Sequence, residues 1–198
     1  MFDFAMMTVS AMETDSERIA RGLRRRELAL LDQLVEQYQY RLVRYLIYLT
    51  GRRDLVDDIV QETWLRVVER GSSYDGRSRF EPWLFSIARN LTIDQMRKRK
   101  AVSLDTPEEE EMKFQLPASG EPSPFEQAAR GEDALRMAKS LETLEPIYRE
   151  AVLLRFQEDL SLQEIAAIVK APVTTVSSRI YRGLEMLRAQ LEGEVHAN

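Results

Sequence analysis

Apolar residues recur at intervals of three and four along two long stretches of this sequence, and a proline- and acid-rich stretch separates them. Nothing constrains the fold more, because that period belongs to the α-helix and no strand-like alternation runs for any useful length. The first stretch carries Leu28, Leu31, Leu34, Tyr38, Leu42, Tyr45 and Leu49 from about Leu23 onward, which predicts one long helix ending at Gly51. Glycine takes the left-handed conformation of a helix C-terminal cap without strain. Asp54 is placed to cap a following helix with Leu55, Ile59, Thr63 and Val67 on one face, ending before Gly71. Residues 70–79 are rich in Gly, Ser and Asp and predict a loop. A further helix starts around Phe80-Glu81-Pro82, where proline suits the first turn, and runs through Leu84, Ile87, Leu91 and Met96 into Arg97–Lys100. Phe80, Trp83 and Phe85 read as core rather than as base-stacking residues.

The separating stretch, residues 101–131, holds four of the seven prolines and the Glu108–Glu111 run. It predicts an acidic flexible linker, not a folded unit. Helical periodicity resumes near Glu132 and continues to about Leu191. The fold class is therefore all-α, with two small helical domains joined by a tether. The expected layout is a frayed tail at 1–22, a first domain at 23–100, the linker at 101–131, a second domain at 132–192 and a short tail at 193–198. Domains of this size bury a modest share of their surface and gain stability from a bound partner.

The formal net charge of −5 argues against nucleic-acid binding only if the charge is spread evenly, and it is not. Residues 79–100 carry six basic against two acidic side chains, a balance of +4, and residues 170–188 carry four against one, +3. Residues 101–133 carry two basic against nine acidic side chains, −7, more than the whole net deficit. The basic helices are plausible phosphate-contacting surfaces.

Several functional classes are excluded at the same level. The chain has no cysteine and a single His, His196, near its end. That removes disulfides, Cys-ligated zinc, thiol nucleophiles and His-dependent triads, so neither a metal, a cofactor nor an enzymatic activity is expected. No apolar run is long enough to span a membrane and residues 1–7 do not resemble a signal peptide, which predicts a cytoplasmic protein.

Ser161-Leu162-Gln163-Glu164 is a capping-box sequence that starts a short helix with Leu162, Ile165, Ala166 and Val169 on one face. Lys170-Ala171-Pro172 breaks that helix. Thr174 or Thr175 is placed to cap a second one, with Val176, Ile180, Leu184 and Leu187 inward and Ser177, Ser178, Arg179 and Arg182 outward near its start. A helix-turn-helix presents its recognition helix to the major groove in this way, with short polar and Arg side chains near base edges and phosphates. The same pattern also fits a helical hairpin with a solvated face. Upstream, Asp58, Gln61 and Glu62 share one helix face, which suits a basic or polar partner helix or an ordinary solvated surface.

The stretch Asp58-Ile59-Val60-Gln61-Glu62-Thr63-Trp64-Leu65, then Arg79–Lys100, then Leu160–Arg188 follows the order of motifs in a known family. The chain resembles the bacterial RNA polymerase sigma factors of the extracytoplasmic-function type, in the sigma-70 family, over about residues 25–190. The first stretch is similar to region 2.2, the second to regions 2.3 and 2.4, and the third to region 4.2. The resemblance implies a promoter-specificity subunit that binds core RNA polymerase and has no catalysis of its own. Asp58, Gln61, Glu62 and Leu65 would dock on the β′ clamp helices. Loop 70–79 with Arg79, Arg89, Asn90, Arg97 and Lys98 would recognise and melt the −10 element of promoter DNA. Thr174, Thr175, Ser177, Ser178, Arg179 and Arg182 would bind the −35 element as duplex, in a domain that docks on the β flap. An anti-sigma factor is the expected regulatory partner. Lys170 stands where the family often has Gly, Thr174 where it has Gly or Ala, and Gly183 where Ala is common. The alternative is a stand-alone helix-turn-helix transcriptional regulator with an N-terminal interaction domain, which has no need for the two motifs that precede the linker.

Overall fold

The computed structural model describes residues 14–102 and 139–195, and every regular element among them is helical. The predicted linker lies outside the described residues except where the preceding helix reaches Val102. In chain order the elements are α1 (Asp15–Arg25), α2 (Leu28–Thr50), α3 (Arg53–Arg70), a 3-10 turn at Gly71–Ser73, α4 (Phe80–Val102), α5 (Pro146–Phe156), α6 (Leu162–Val169) and α7 (Val173–Val195). Residues 139–143, ahead of α5, are also helical.

The first helix is a departure from the expected frayed start. Thr14 and Glu17 form a capping box, with Glu17 N–H donating to Thr14 Oγ1 at 3.3 Å and Thr14 N–H to Glu17 Oε2 at 2.8 Å. Ile19, Ala20 and Leu23 are buried. The long helix predicted from Leu23 breaks at Arg26, which takes the left-handed conformation (φ 54°) and donates its N–H to Leu23 O. Gly22 lies close against Leu30 at this corner, where a Cβ would meet the tip of the Leu30 side chain.

α2 ends as its sequence predicts. Gly51 has φ 65° and donates to Ile47 O at 2.8 Å. Asp54 does not cap α3, whose N-cap is Arg52. It sits in the first turn, where a carboxylate still meets the helix dipole favourably, and takes hydrogen bonds from Arg52 at 3.1 and 3.0 Å and from Arg99 at 3.3 Å. The Arg52 hydrogen bond, with the Arg52 and Arg99 charges behind it, holds the Asp54 carboxyl below its ordinary pKa.

The buried side chains form three clusters. In one, α1 packs on the start of α2 and on the loop before α4, with Tyr38, Tyr74, Phe80 and Trp83 in ring contact at centroid distances of 5.3 to 5.6 Å. The second joins Leu42, Tyr45, Leu46, Ile59 and Phe85 of the first unit to Leu154, Ile165, Ile168, Val176 and Ile180 of the second. The third sets Tyr48, near the end of α2, among Leu141, Leu144, Val152, Leu153 and Leu187. The two units therefore share a core rather than standing apart.

The helix-turn-helix forms at α6 and α7. The Ser161–Glu164 capping box is present, with Ser161 N–H donating to Glu164 Oε2 at 2.7 Å. Lys170 takes the left-handed position (φ 54°) that glycine commonly fills and donates its N–H to Ala166 O. α7 begins at Val173, so Thr174 and Thr175 lie inside its first turn instead of capping it. Val176, Ile180 and Leu187 are buried as expected, but Leu184 faces outward and Gly183 takes the inward place.

Candidate functional site

Three surfaces carry the side chains singled out by sequence. The first is a cleft of about 480 Å³ between α2 and α3, lined by Val35, Gln39 and Val43 on one wall and Asp57, Gln61, Trp64 and Leu65 on the other. Gln61 and Leu65 thus belong to it. Asp58 and Glu62 lie one position round α3, Asp58 exposed and Glu62 bonded to Arg66 at 2.8 Å. Asp57, Trp64 and the α2 wall were missed by sequence reasoning. The spacing Asp57–Gln61–Leu65 was the signal, because residues four apart share a helix face. Leu65 exposes half of its area, an apolar side chain at the lip of an apolar groove.

The second surface runs along α4 and the loop before it. Leu23 of α1 supports the loop at Gly71, and Ser16 and Ala20 support it at Gly76, whose φ is +75°. Tyr74 hydroxyl donates to Ser78 O. Arg79 is exposed, paired with Glu81 at 3.2 Å and donating to Asp159 O at 3.1 Å. Arg89 Nε donates to Glu150 Oε1 at 2.7 Å, and Asn90 Oδ1 accepts from Lys170 Nζ at 3.2 Å. Arg97 and Lys98 are exposed near the far end of α4. Arg79, Arg89 and Asn90 therefore meet the second unit, whereas Arg97 and Lys98 have no bond to it among the described residues.

The contact between units is polar around an apolar centre. Tyr45 hydroxyl donates to Glu150 Oε1 at 2.9 Å, and burial, then the Glu150 charge, push its phenol pKa well up. Arg41 Nε donates to Glu158 Oε2 at 2.9 Å and Arg44 stands 3.7 Å from Glu158 Oε1. Arg149 donates to Tyr48 O at 2.9 Å, to Glu142 O at 2.6 Å and to Leu144 O at 2.8 Å. Its burial pushes its pKa down, yet it carries its charge at every physiological pH and offsets the partial negative charge at the end of α2.

The third surface is a shallow polar depression of about 310 Å³ where α5 meets α7. Thr174, Thr175, Ser178, Arg179 and Arg182 line it with Ile147 and Tyr148 of α5. Ser177 is exposed beside it. Ile147 and Tyr148 were not foreseen, since they lie in a different helix and no local pattern connects them to α7. No salt bridge holds Arg179 or Arg182 among the described residues, so both guanidinium groups are available to an anion. Donors at a helix N-terminus add to that attraction. No cluster of potential metal ligands occurs among the described residues, and none of their helices is long and apolar enough to cross a membrane.

Residues 34–102 match the family described as Sigma-70 region 2, and residues 134–187 match Sigma-70, region 4. Among curated relatives, the ECF RNA polymerase sigma factor SigW of Bacillus subtilis is 32% identical over 80% of this chain and 87% of its own length. SigE of Mycolicibacterium smegmatis, also an ECF RNA polymerase sigma factor, is 34% identical over 81% of this chain and 61% of its own length. Among solved structures, the sigma factor RpoE of Bartonella quintana, crystallised with the anti-sigma factor NepR, superposes with a TM-score of 0.66 at 27% identity. That superposition covers 81% of this chain and 96% of the other.

Proposed function

The chain belongs to the sigma-70 family as an RNA polymerase sigma factor of the extracytoplasmic-function type, and from that premise we propose which surface does what during promoter-specific initiation. The α2–α3 cleft receives the β′ clamp helices of core polymerase, with Leu65 as its apolar anchor and Gln61, Asp58 and Glu62 on the polar rim. An apolar centre with a polar edge is how a specific docking surface is built. The loop supported by α1, with Arg79, Arg89, Asn90, Arg97 and Lys98, reads the −10 element once its strands part. Arginines beside a shaped loop can clamp phosphates and hold unstacked bases. The depression at the start of α7 takes the −35 duplex, where Thr174, Thr175, Ser177, Ser178, Arg179 and Arg182 reach base edges and backbone. Family members act as initiation factors, and we extend this to the absence of catalysis in this chain. An anti-sigma factor of the kind bound to the Bartonella relative is its expected regulator.

The observation that carries the reading is the occurrence, in family order on one chain, of the docking cleft and the helix-turn-helix. A stand-alone regulator would not carry the first. The test is reconstitution of purified chain with core RNA polymerase on a genomic promoter library. Specific transcripts that depend on the added chain are expected. Failure to co-elute with core and to start any transcript would sink the reading.

A further inference from the structure

We propose that α1 is a positioning element for −10 recognition: Ala20 and Leu23 fix loop 71–79 in its reading conformation, so α1 governs base discrimination without touching DNA. The proposal rests on the assignment of that loop to the −10 element.

α1 lies ahead of residues 34–102, the part of the chain that matches Sigma-70 region 2. Its eleven residues are too few for an isolated helix to persist in water. The Thr14–Glu17 capping box and the burial of Ile19, Ala20 and Leu23 hold it on the first unit. What it covers there is the loop. Gly71, Tyr74 and Gly76 are the inward points of that loop, and Ser72, Ser73, Asp75 and Arg77 between and beside them are exposed. Each inward point rests on α1 or on the cluster α1 completes. A Cβ at Gly71 would stand 3.0 Å from Leu23 Cβ. One at Gly76 would stand 2.9 Å from Ser16 O and 3.0 Å from Ala20 Cβ. Tyr74 shares its buried cluster with Ile19, Ala20 and Leu23.

The loop's own hydrogen bonds are local. Tyr74 N–H donates to Gly71 O at 3.2 Å, Ser73 Oγ to Arg70 O at 2.7 Å and Arg77 N–H to Asp75 Oδ1 at 3.0 Å. Such bonds curl the chain without fixing where the curl stands against its surroundings. α1 supplies that second constraint. At Gly76, with φ +75°, the loop backbone lies directly on the α1 backbone with no side chain of its own between them. A displacement of α1 therefore passes straight to Asp75 and Arg77 on either side. Groups that discriminate between ligands must be held to within about 0.5 Å, and a loop reaches that only with support from behind.

The test uses holoenzyme assembled with the full chain. The rate of promoter opening is measured on a promoter used by the reconstituted enzyme and on copies with single-base changes in the −10 element. The ratio of the two rates is the readout. Loss of folded chain lowers both rates alike and leaves the ratio unchanged, whereas a displaced loop lowers the ratio. Leu23→Ala, which withdraws the support at Gly71, and Ala20→Leu, which pushes on Gly76, should each lower it roughly ten-fold, the scale of one mismatched base pair. Affinity for core polymerase should stay as in the wild type. Leu23→Met keeps the volume of the contact and should keep the ratio. The chain has no cysteine, so Ser72→Cys carries a single spin label at an exposed loop position. Its motion should increase when Leu23→Ala is added and stay unchanged with Leu23→Met. A wild-type ratio in both Leu23→Ala and Ala20→Leu would overturn the proposal, as would a label that Leu23→Ala leaves unmoved. If Ser72→Ala with Arg77→Ala opens promoters and discriminates as the wild type does, the assignment of the loop to the −10 element is itself wrong.

Discussion

Gly183 sets how closely α5 and α7 approach. A Cβ at that position would stand 2.8 Å from Val152 Cγ2 and 3.5 Å from Tyr148. By helix propensity alone Gly183→Ala should stabilise the chain by about 1 kcal/mol. Val152 is β-branched and buried, so it cannot turn its methyl aside cheaply. We expect Gly183→Ala to destabilise by about 1–2 kcal/mol through overpacking, seen as a lower urea midpoint. Combined with Val152→Ala, part of that loss should return as a favourable coupling of about 1 kcal/mol in a double-mutant cycle. Strictly additive losses would show that the contact is not what disfavours alanine. Sequence reading saw the glycine as a cost in a helix interior, because the partner that requires it lies in another helix. Lys170 shows the opposite limit: a residue of its type at a position that family members often fill with glycine argued against the turn, yet it takes the left-handed conformation, φ 54°. Arg179 and Arg182 line the depression at the start of α7 and have no salt bridge among the described residues, so each alanine variant should weaken −35 duplex binding by about 1–3 kcal/mol if it touches a base. A phosphate contact would instead lower the salt dependence of binding by about one ion and weaken all sequences alike. Duplex titrations at two salt concentrations separate the two.

At the scale of the element, α3 shows what periodicity reveals and what it hides. Its buried face, Leu55, Ile59, Thr63 and Val67, was legible because one helix suffices to define it. The cleft was only half legible, because its other wall is α2 and the register between the two helices is set by packing. Asp58, Gln61, Glu62 and Leu65 were all read from the sequence; Gln61 and Leu65 line the groove together with Asp57, whereas Asp58 and Glu62 lie beside it. Leu65→Arg should cost about 2 kcal/mol or more of affinity for core polymerase, as loss of an anchor at a docking centre does. Because Leu65 is half exposed in the free chain, its replacement should change folding stability by no more than about 0.5 kcal/mol. Unchanged core affinity in a gel-shift or fluorescence titration would move the docking face away from this cleft. α1 was not legible at all as a helix. Its capping box, Thr14 to Glu17, was present in the sequence, but four buried residues in eleven give too short an apolar pattern to stand out from a tail. What makes it an element is the loop it supports, through Leu23 at Gly71 and Ser16 and Ala20 at Gly76.

Across the whole molecule, the sequence reads as two domains on a tether, and the structure packs them on one another. One signal was available in α2. Tyr45-Leu46-Ile47-Tyr48 is apolar on successive positions, wider than a single face requires, and all four are buried. Such a helix is covered on more than one side. Periodicity within each half cannot show that the second cover comes from the other half. Burial of the α2 tyrosines, two of them in the shared core, has a consequence in alkali. Burial raises the phenol pKa of Tyr38, of Tyr45 and of Tyr48 above the ordinary value of 10.0. In the unfolded chain each phenol ionises near that ordinary value, while in the folded chain it keeps its proton. The unfolded state therefore sheds protons first, and stability that is intact below pH 10 falls as pH rises through 10 toward the folded values. The limiting slope is about 1.4 kcal/mol per pH unit for each phenol that ionises only on unfolding. Tyr45 lies where the units meet and donates to Glu150, so Tyr45→Phe should lower stability at neutral pH by one lost hydrogen bond. The same variant should make the alkaline decline shallower by one phenol's share. Urea midpoints measured from pH 8 to 11 give both numbers from one series. Parallel declines for the two proteins would mean that Tyr45 ionises as freely when folded as when unfolded, and that it is not enclosed between the units.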